Sequence, residues 1–389
     1  MRLILAWAVT LASVAAAAAG TARAQDVTAV LREGLYTDSD RTQVVRSSAS
    51  AGATVGQFTL NAHGTVDIVS SASVDVRSSP LFDVISSASA VEMTDRRIET
   101  SAGTTWNDGR GHTASGSFVY ATETDYRSIG GGLALSWDLW DRDTTILASG
   151  TFSHNTVGSV VDSSFHEEMD EAGYSLGIAQ VLTPSDAIRV RYDGARLDGY
   201  QASPYRTVRF GDWTAQRGHD RTIVFVGTRG SADGLPEKEP TLRVRHAAVL
   251  EWLHGLSDAI GLAARARLAT DSWGVRSATL ATDLRYAANR GQLRLGYRFY
   301  VQGAADFFAD KYLMSSDNYS YYTSDKELGK EVGHTASLDI SFFFQDRAAT
   351  GLKAQIDAQL EVLYYTYPDF PLIQSRTSFL GEIGLRLEL

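Results

Sequence analysis

The chain contains no cysteine. That absence excludes a structural disulfide, a thiolate metal site and a cysteine nucleophile in any compartment. Basic runs are missing too: no stretch is dense in Lys and Arg, and a formal charge of -10 with a pI of about 5.3 argues against a nucleic-acid partner held by phosphate neutralisation. Beyond the N-terminal stretch no apolar run is long enough for a transmembrane helix, and mean hydropathy is -0.15. Catalytic motifs are equally scarce. No glycine-rich nucleotide loop and no GxSxG elbow occur, and the histidines, His63, His112, His154, His166, His219, His246, His254 and His334, include no HExxH spacing. His166-Glu167-Glu168 offers metal-ligand types, but reads better as a solvated acidic loop. The expectation is therefore a non-enzyme with no cofactor and no metal.

What the sequence does contain begins with an export signal. Arg2 is a short positive region, Leu3 to Ala19 is apolar, and Ala22-Arg23-Ala24 is a small-x-small site ahead of Gln25. Residues 1–24 read as a signal peptide cleaved after Ala24, and no lipobox cysteine follows. A soluble periplasmic protein and an outer-membrane β-barrel both fit the hydropathy, because a barrel alternates lipid-facing and lumen-facing residues.

Period-two patterning favours the barrel. Leu352, Ala354, Ile356, Ala358, Leu360, Val362 and Tyr364 share one face of a strand whose other face carries Lys353, Gln355, Asp357, Gln359 and Glu361. Segments over Leu293–Gln302 and Ala336–Gln345 alternate in the same way. All three are long enough for a tilted membrane strand of about 9 to 11 residues. Short polar turns at Asn107-Asp108-Gly109, Asp141-Arg142-Asp143, Thr183-Pro184-Ser185-Asp186, Gly255-Leu256-Ser257-Asp258, Asn289-Arg290-Gly291 and Asp346-Arg347 separate these segments. Between them lie longer stretches at 156–167, 201–239, 306–332 and 365–374, the loop asymmetry of an outer-membrane barrel.

Aromatic placement agrees with a membrane frame. Trp106, Trp137, Trp140 and Trp252, with Tyr286 and Phe344, sit near short turns and predict a periplasmic-side girdle. The segment Phe379–Leu389 alternates to the end and is similar to a barrel insertion signal, although it closes on Leu389 rather than an aromatic. The expected fold class is all-β: a transmembrane antiparallel barrel of about 14 strands, within about 12 to 16, over residues 54–389. Residues 25–53 are expected to be a periplasmic leader, with Arg41–Ser50 as an optional further strand. Val91–Trp106 and Thr144–His154 alternate least clearly. Ser-Ser-Ala-Ser recurs at 47–50, 70–73 and 86–89, too irregularly for a solenoid, and reads as loop composition.

A set of segments also carries a resemblance: Val66–Ser73, Glu123–Tyr126, Ser203–Val208, Pro236–Pro240 followed by Arg243–Ala247, Asp271–Gly274, Tyr297–Gln302 and Tyr321–Leu328. Together these resemble a family of Gram-negative exported proteins known only as a domain of unknown function. The resemblance implies an outer-membrane barrel. It also implies gene neighbours that include a flavin transferase, a small lipoprotein and a thioredoxin-like protein, and it supplies no chemistry.

Function has to be read from the polar strand faces. If the apolar faces meet lipid, then Arg243, Arg245, Arg265, Arg267, Arg285, Arg294 and Arg298 point into the lumen as a basic wall, with Asp339, Asp357 and Glu361 expected as an opposed acidic arc. Such a transverse field orders polar solutes in a porin constriction. The same charges could instead pair across a closed lumen and only hold the wall together. Three functions follow for a protein of the cell outer membrane: porin-like passage of small polar or anionic solutes; a non-conducting scaffold for a periplasmic redox or flavoprotein partner; or an outer-membrane hydrolase with a His plus Asp or Ser site. The expected partners are outer-membrane lipids, the barrel-insertion machinery and, under the scaffold reading, a periplasmic lipoprotein or flavoprotein, with no nucleic acid.

Overall fold

The computed structural model describes residues 26–40, 42–71, 75–76, 84–85, 93–160, 162–217, 223–227, 234–345, 352–370 and 373–388. The segment expected to be a signal peptide and most of the second and third Ser-Ser-Ala-Ser segments lie outside them. No helix among the described residues is long and apolar enough to cross a membrane.

Sixteen antiparallel strands close into one barrel. In chain order they are β1 (Asp26–Asp38), β2 (Gln43–Val55), β3 (Phe58–Ser71), β4 (Met93–Asn107), β5 (His112–Thr122), β6 (Tyr126–Leu139), β7 (Thr144–Val157) and β8 (Glu167–Thr183). They continue as β9 (Asp186–Gly199), β10 (Leu242–Gly255), β11 (Ile260–Asp271), β12 (Arg276–Ala288), β13 (Gly291–Gln302), β14 (Glu331–Gln345), β15 (Lys353–Thr366) and β16 (Ser375–Glu388). Each strand pairs with its sequence neighbour, and β16 closes the ring on β1 with Leu31 opposite Leu385 and Leu35 opposite Gly381. Closure removes the exposed sheet edges that would otherwise recruit other chains.

The count corrects the expected 14. The additional pair is β1 and β2, formed by the stretch expected to be a leader, so the wall begins at Asp26 rather than at residue 54. The physical reason is visible in β2. Its outward positions are Ser47, Ala49, Ala51 and Ala53, whose small side chains erase the apolar alternation that marks the other strands. The described part of the first weakly alternating segment, Met93–Trp106, and Thr144–His154 both fall in wall strands, while Val91 and Glu92 lie outside the described residues.

One end of the barrel carries tight turns and the other carries most of the long connections. The turns have local causes. In the β4–β5 turn Asp108 Oδ1 accepts from the backbone of Arg110 (2.7 Å) and His112 (3.0 Å), and Gly109 supplies a φ of 72°. At the opposite end the connections include 158–166, 200–241, 303–330 and 367–374, together with the short 123–125 and 272–275.

Cross-strand register assigns every strand residue to a face. Leu133, Leu176, Leu280, Leu295, Leu360 and Ile383 all point outward, and each is about half or more exposed. Trp137, Trp252, Tyr286 and Phe344 also point outward, near the turn end, with Trp106 on the same face and Trp140 exposed in a turn. An acid also stands on this outer face. Glu33 faces outward between Leu31 and Leu35, opposite Ile383, and accepts a hydrogen bond from Ser47 Oγ (2.6 Å).

Candidate functional site: a charged lumen under a folded cap

All of the arginines and acids expected in the lumen do face inward, because each stands opposite another inward residue in the register. Examples are Arg265 opposite Glu251, Arg285 opposite Arg294, Arg294 opposite Asp339, and Glu361 opposite Ser337. Sequence reasoning missed two arginines of the same wall, Arg189 and Arg191 on β9. Strand alternation would have found them.

The acidic arc is corrected. Strands β14 and β15 follow β13 directly in the ring, so Asp339, Asp357 and Glu361 flank the arginines instead of facing them. Acids are also interleaved among the basic strands. Glu251 binds Arg265 (2.6 Å) and Arg189 (3.2 Å), Asp193 binds Arg191 (2.9 Å), and Arg294 sits between Asp339 (2.7 Å) and Asp283 (3.5 Å). Arg298 donates to the Tyr365 hydroxyl (3.1 Å) and lies over the Tyr300 ring. Asp357 accepts from Ser341 (2.6 Å) and Gln355 (2.6 Å), and Glu361 from Gln359 (3.1 Å). Among the described residues Arg267 and Arg285 make no ion pair. Facing this network, β4 to β7 carry the small hydroxyl side chains Ser101, Ser115, Ser117, Ser149 and Thr151, with Arg97 and Glu99 paired toward the loop end of β4.

Arg243 and Arg245 belong to a different environment, near the loop end. Arg243 is buried, donates to Asp271 (2.7 Å) and lies 4.3 Å from the Trp273 ring centroid. Arg245 stands opposite Asp271 in register. Their surroundings are set by a cap that the sequence did not reveal.

The cap is built from the connections 200–241, 303–330 and 367–374. Thr207–Val208 pairs with Leu235–Pro236, and Lys238 bridges Tyr322. Val208, Tyr312 and Tyr322 form a small apolar core with Phe210 and Tyr319, while Leu328 and Ala305 pack on Trp273 and Val275. Tyr367, Phe370 and Ile373 complete a third cluster. The cap bends over the lumen mouth: inward-facing Gln302 donates to the carbonyls of Glu327 (2.6 Å) and Gly329 (3.0 Å). On the far side the Tyr205 hydroxyl bonds Asp125 in the β5–β6 connection.

An ionic centre locks these loops. Arg206 is buried between Asp325 (2.9 Å) and Glu237 (3.5 Å). Glu237 also accepts from Thr323 Oγ1 (2.8 Å) and the Ser324 backbone (2.7 Å). Burial and the adjacent Glu237 push Glu239 up to about 8, and burial lowers the Lys326 ammonium. The cap thus assembles the Ser203–Val208, Pro236–Pro240, Asp271–Gly274 and Tyr321–Leu328 segments on which the family resemblance rested. No local periodicity marks them, because their partners are distant in sequence.

Between cap and wall lies a cavity of about 400 Å³, with Glu171 and Arg97 on one side and Arg243 and Trp273 on another. Asp95, Glu123 and Asp125 bring one carboxylate oxygen each within 4.8 Å of one another beside it. That grouping is accounted for by Arg97, which binds Glu123 (3.3 Å), and by Thr124 Oγ1, which donates to Asp95 (2.8 Å). His166 and Glu168 stay exposed, with 4.0 Å between their polar atoms.

The sequence model of one family, described as a protein of unknown function (DUF3570), matches residues 161–367. No curated protein matches the chain. Among solved structures, a bacterial polysaccharide outer-membrane secretin aligns at 9% identity and a TM-score of 0.47, over 93% of this chain and 98% of the other. The Pseudomonas aeruginosa protein OccD3 (OpdP) aligns at 10% identity and a TM-score of 0.45, over 94% and 92%. The CymD monoaromatic hydrocarbon channel aligns at 10% identity and a TM-score of 0.41, over 93% and 88%.

Proposed function

The chain belongs to that family of unknown function, and we propose that it is an outer-membrane channel passing small polar solutes, with a preference for anions set by the inward arginines. The outward apolar belt supports the membrane location, since every backbone group of a closed barrel is satisfied within the wall. Barrel size supports passage: side chains fill 8 strands, whereas 16 to 18 leave an aqueous lumen. The observation that carries the reading is the lumen wall itself, which is hydroxyl-rich on β4 to β7 and carries Arg267 and Arg285 without ion pairs on β11 and β12. A wall meant only to seal would be expected to compensate its charges fully.

Reversal potentials of refolded protein in a KCl gradient test it. The unmodified barrel is expected to favour chloride, and the Arg267→Gln/Arg285→Gln variant to lose that preference while still folding, because lumen substitutions tune selectivity. An unchanged reversal potential would remove these arginines from the selectivity element. Electrical silence, with a periplasmic protein co-purifying, would favour the scaffold.

A further inference from the structure

Three of the lumen arginines stand around one shallow recess in the wall. Strand β12 turns small side chains inward at two successive levels, Ala281 and Thr279. Arginines flank this floor from both neighbouring strands. Arg265 on β11 and Arg298 on β13 both stand opposite Ala281, and Arg267 stands opposite Thr279, which has Tyr300 on its other side. Two strand spacings of about 4.8 Å put β11 and β13 about 10 Å apart, so long side chains from both can reach over the floor between them.

The charges around the recess are only partly compensated. Arg267 has no ion pair among the described residues. Arg298 is steadied by neutral groups, the Tyr365 hydroxyl (3.1 Å) and the face of the Tyr300 ring. Arg265 shares Glu251 with Arg189, and Glu251 lies on the β10 side, away from the floor. The acid of β12 itself, Asp283, lies over Gly296 and meets Arg294 (3.5 Å). Glu331, opposite Gln302 at the loop end, is buried. These contacts hold Arg265 and Arg298 in place and leave most of their donors free, since a guanidinium carries five N–H groups.

Guanidinium groups arriving from two sides suit a compact multivalent oxyanion better than they suit chloride or a carboxylate. A phosphate accepts paired hydrogen bonds from one guanidinium and still turns oxygens to the next, and its second charge is met by the second group. Thr279 offers a hydroxyl at the floor, and the small Ala281 leaves room for the anion to approach. We propose that Arg265, Arg267 and Arg298, over the floor of Ala281 and Thr279, form a binding site for inorganic phosphate. The site rests on the channel reading in one respect, that the lumen admits water and solutes.

Isothermal titration of the refolded, detergent-solubilised full chain with inorganic phosphate reads binding without a bilayer, so loss of binding and loss of conductance are separate results. Phosphate is expected to bind, and acetate at least about tenfold more weakly. Arg298→Gln is expected to weaken phosphate by about tenfold with heat-modifiable migration preserved. Arg127→Gln, which removes the same charge from the outer face, is expected to leave the affinity unchanged. Ala281→Leu separates a recess from a diffuse basic field, because it fills the floor and leaves every charge in place, and it too should cost about tenfold. A conducting barrel that binds no phosphate would overturn the site and spare the channel. Equal binding of acetate, an affinity unchanged by Arg298→Gln or Ala281→Leu, or an equal loss in Arg127→Gln would also overturn it.

Discussion

Replacing Arg206 with Met probes whether the cap is a discrete unit locked by one ionic centre. Arg206 is buried with Asp325 at 2.9 Å and Glu237 at 3.5 Å, and Met keeps much of its volume while removing the charge. Two carboxylates are then left in a low-dielectric site. Breaking a buried pair by removing one partner costs about 3 to 5 kcal/mol, because the remaining charge is uncompensated. The loss falls on cap opening rather than on the barrel, since Asp325 and Glu237, the carboxylates that pair with Arg206, both belong to the loops and not to the sixteen-strand ladder. At about 1.4 kcal/mol per factor of ten, opening becomes more populated by roughly a hundredfold or more. Hydrogen exchange reads this directly at the amides of Tyr322, bonded to Lys238, and Ser324, bonded to Glu237. Their protection should fall by that factor while strand amides keep theirs. Removing the stranded charges as well, in Arg206→Met/Glu237→Gln/Asp325→Asn, should restore part of it. Unchanged protection at both amides, or a loss spread evenly through the strands, would refute the idea of an ionic lock on a separate cap.

Two further outcomes follow from the same physics. Burial holds Glu239 at about 8 and Glu123 at about 7, so the capped state favours their protonated forms. Their contribution to cap stability is complete below the ordinary carboxylate range and is lost as pH rises through 7 to 8. Channel recordings should therefore show a larger open fraction at pH 9 than at pH 5, and the opposite trend would contradict the assignment. On the outer wall, Glu33→Leu should stabilise the barrel in lipid vesicles by roughly 1 kcal/mol, read as a higher urea midpoint at unchanged slope. A lower midpoint would show that the hydrogen bond from Ser47 is worth more than the cost of holding Glu33 against hydrocarbon.

The strands that could be read from the sequence are those with large side chains on alternate positions, such as β13, β15 and β16. There the outward Leu, Ile and Val residues announce the face, and the inward charges follow by parity. Parity placed Arg243 through Arg298 in the lumen, but it could not pair them, since pairing depends on which strands are neighbours. Hence parity alone sets Asp339 in an opposing arc, whereas it is ion-paired with Arg294 on the neighbouring strand. Strands β1 and β2 were hidden for a simpler reason: Ala49, Ala51 and Ala53 mark no face. The cap lay furthest from view. Its bonds join residues far apart in sequence, such as Arg206 and Asp325, and its tyrosines have no periodicity to betray a core.

Planar-bilayer recording of the refolded full chain tests the central claim most directly, which is that the capped lumen conducts. Unmodified protein is expected to give discrete conductance steps, and Arg206→Met to spend a larger fraction of time open without losing them. Silence from both proteins, each heat-modifiable and inserted in the bilayer, would contradict the claim and leave a sealed wall.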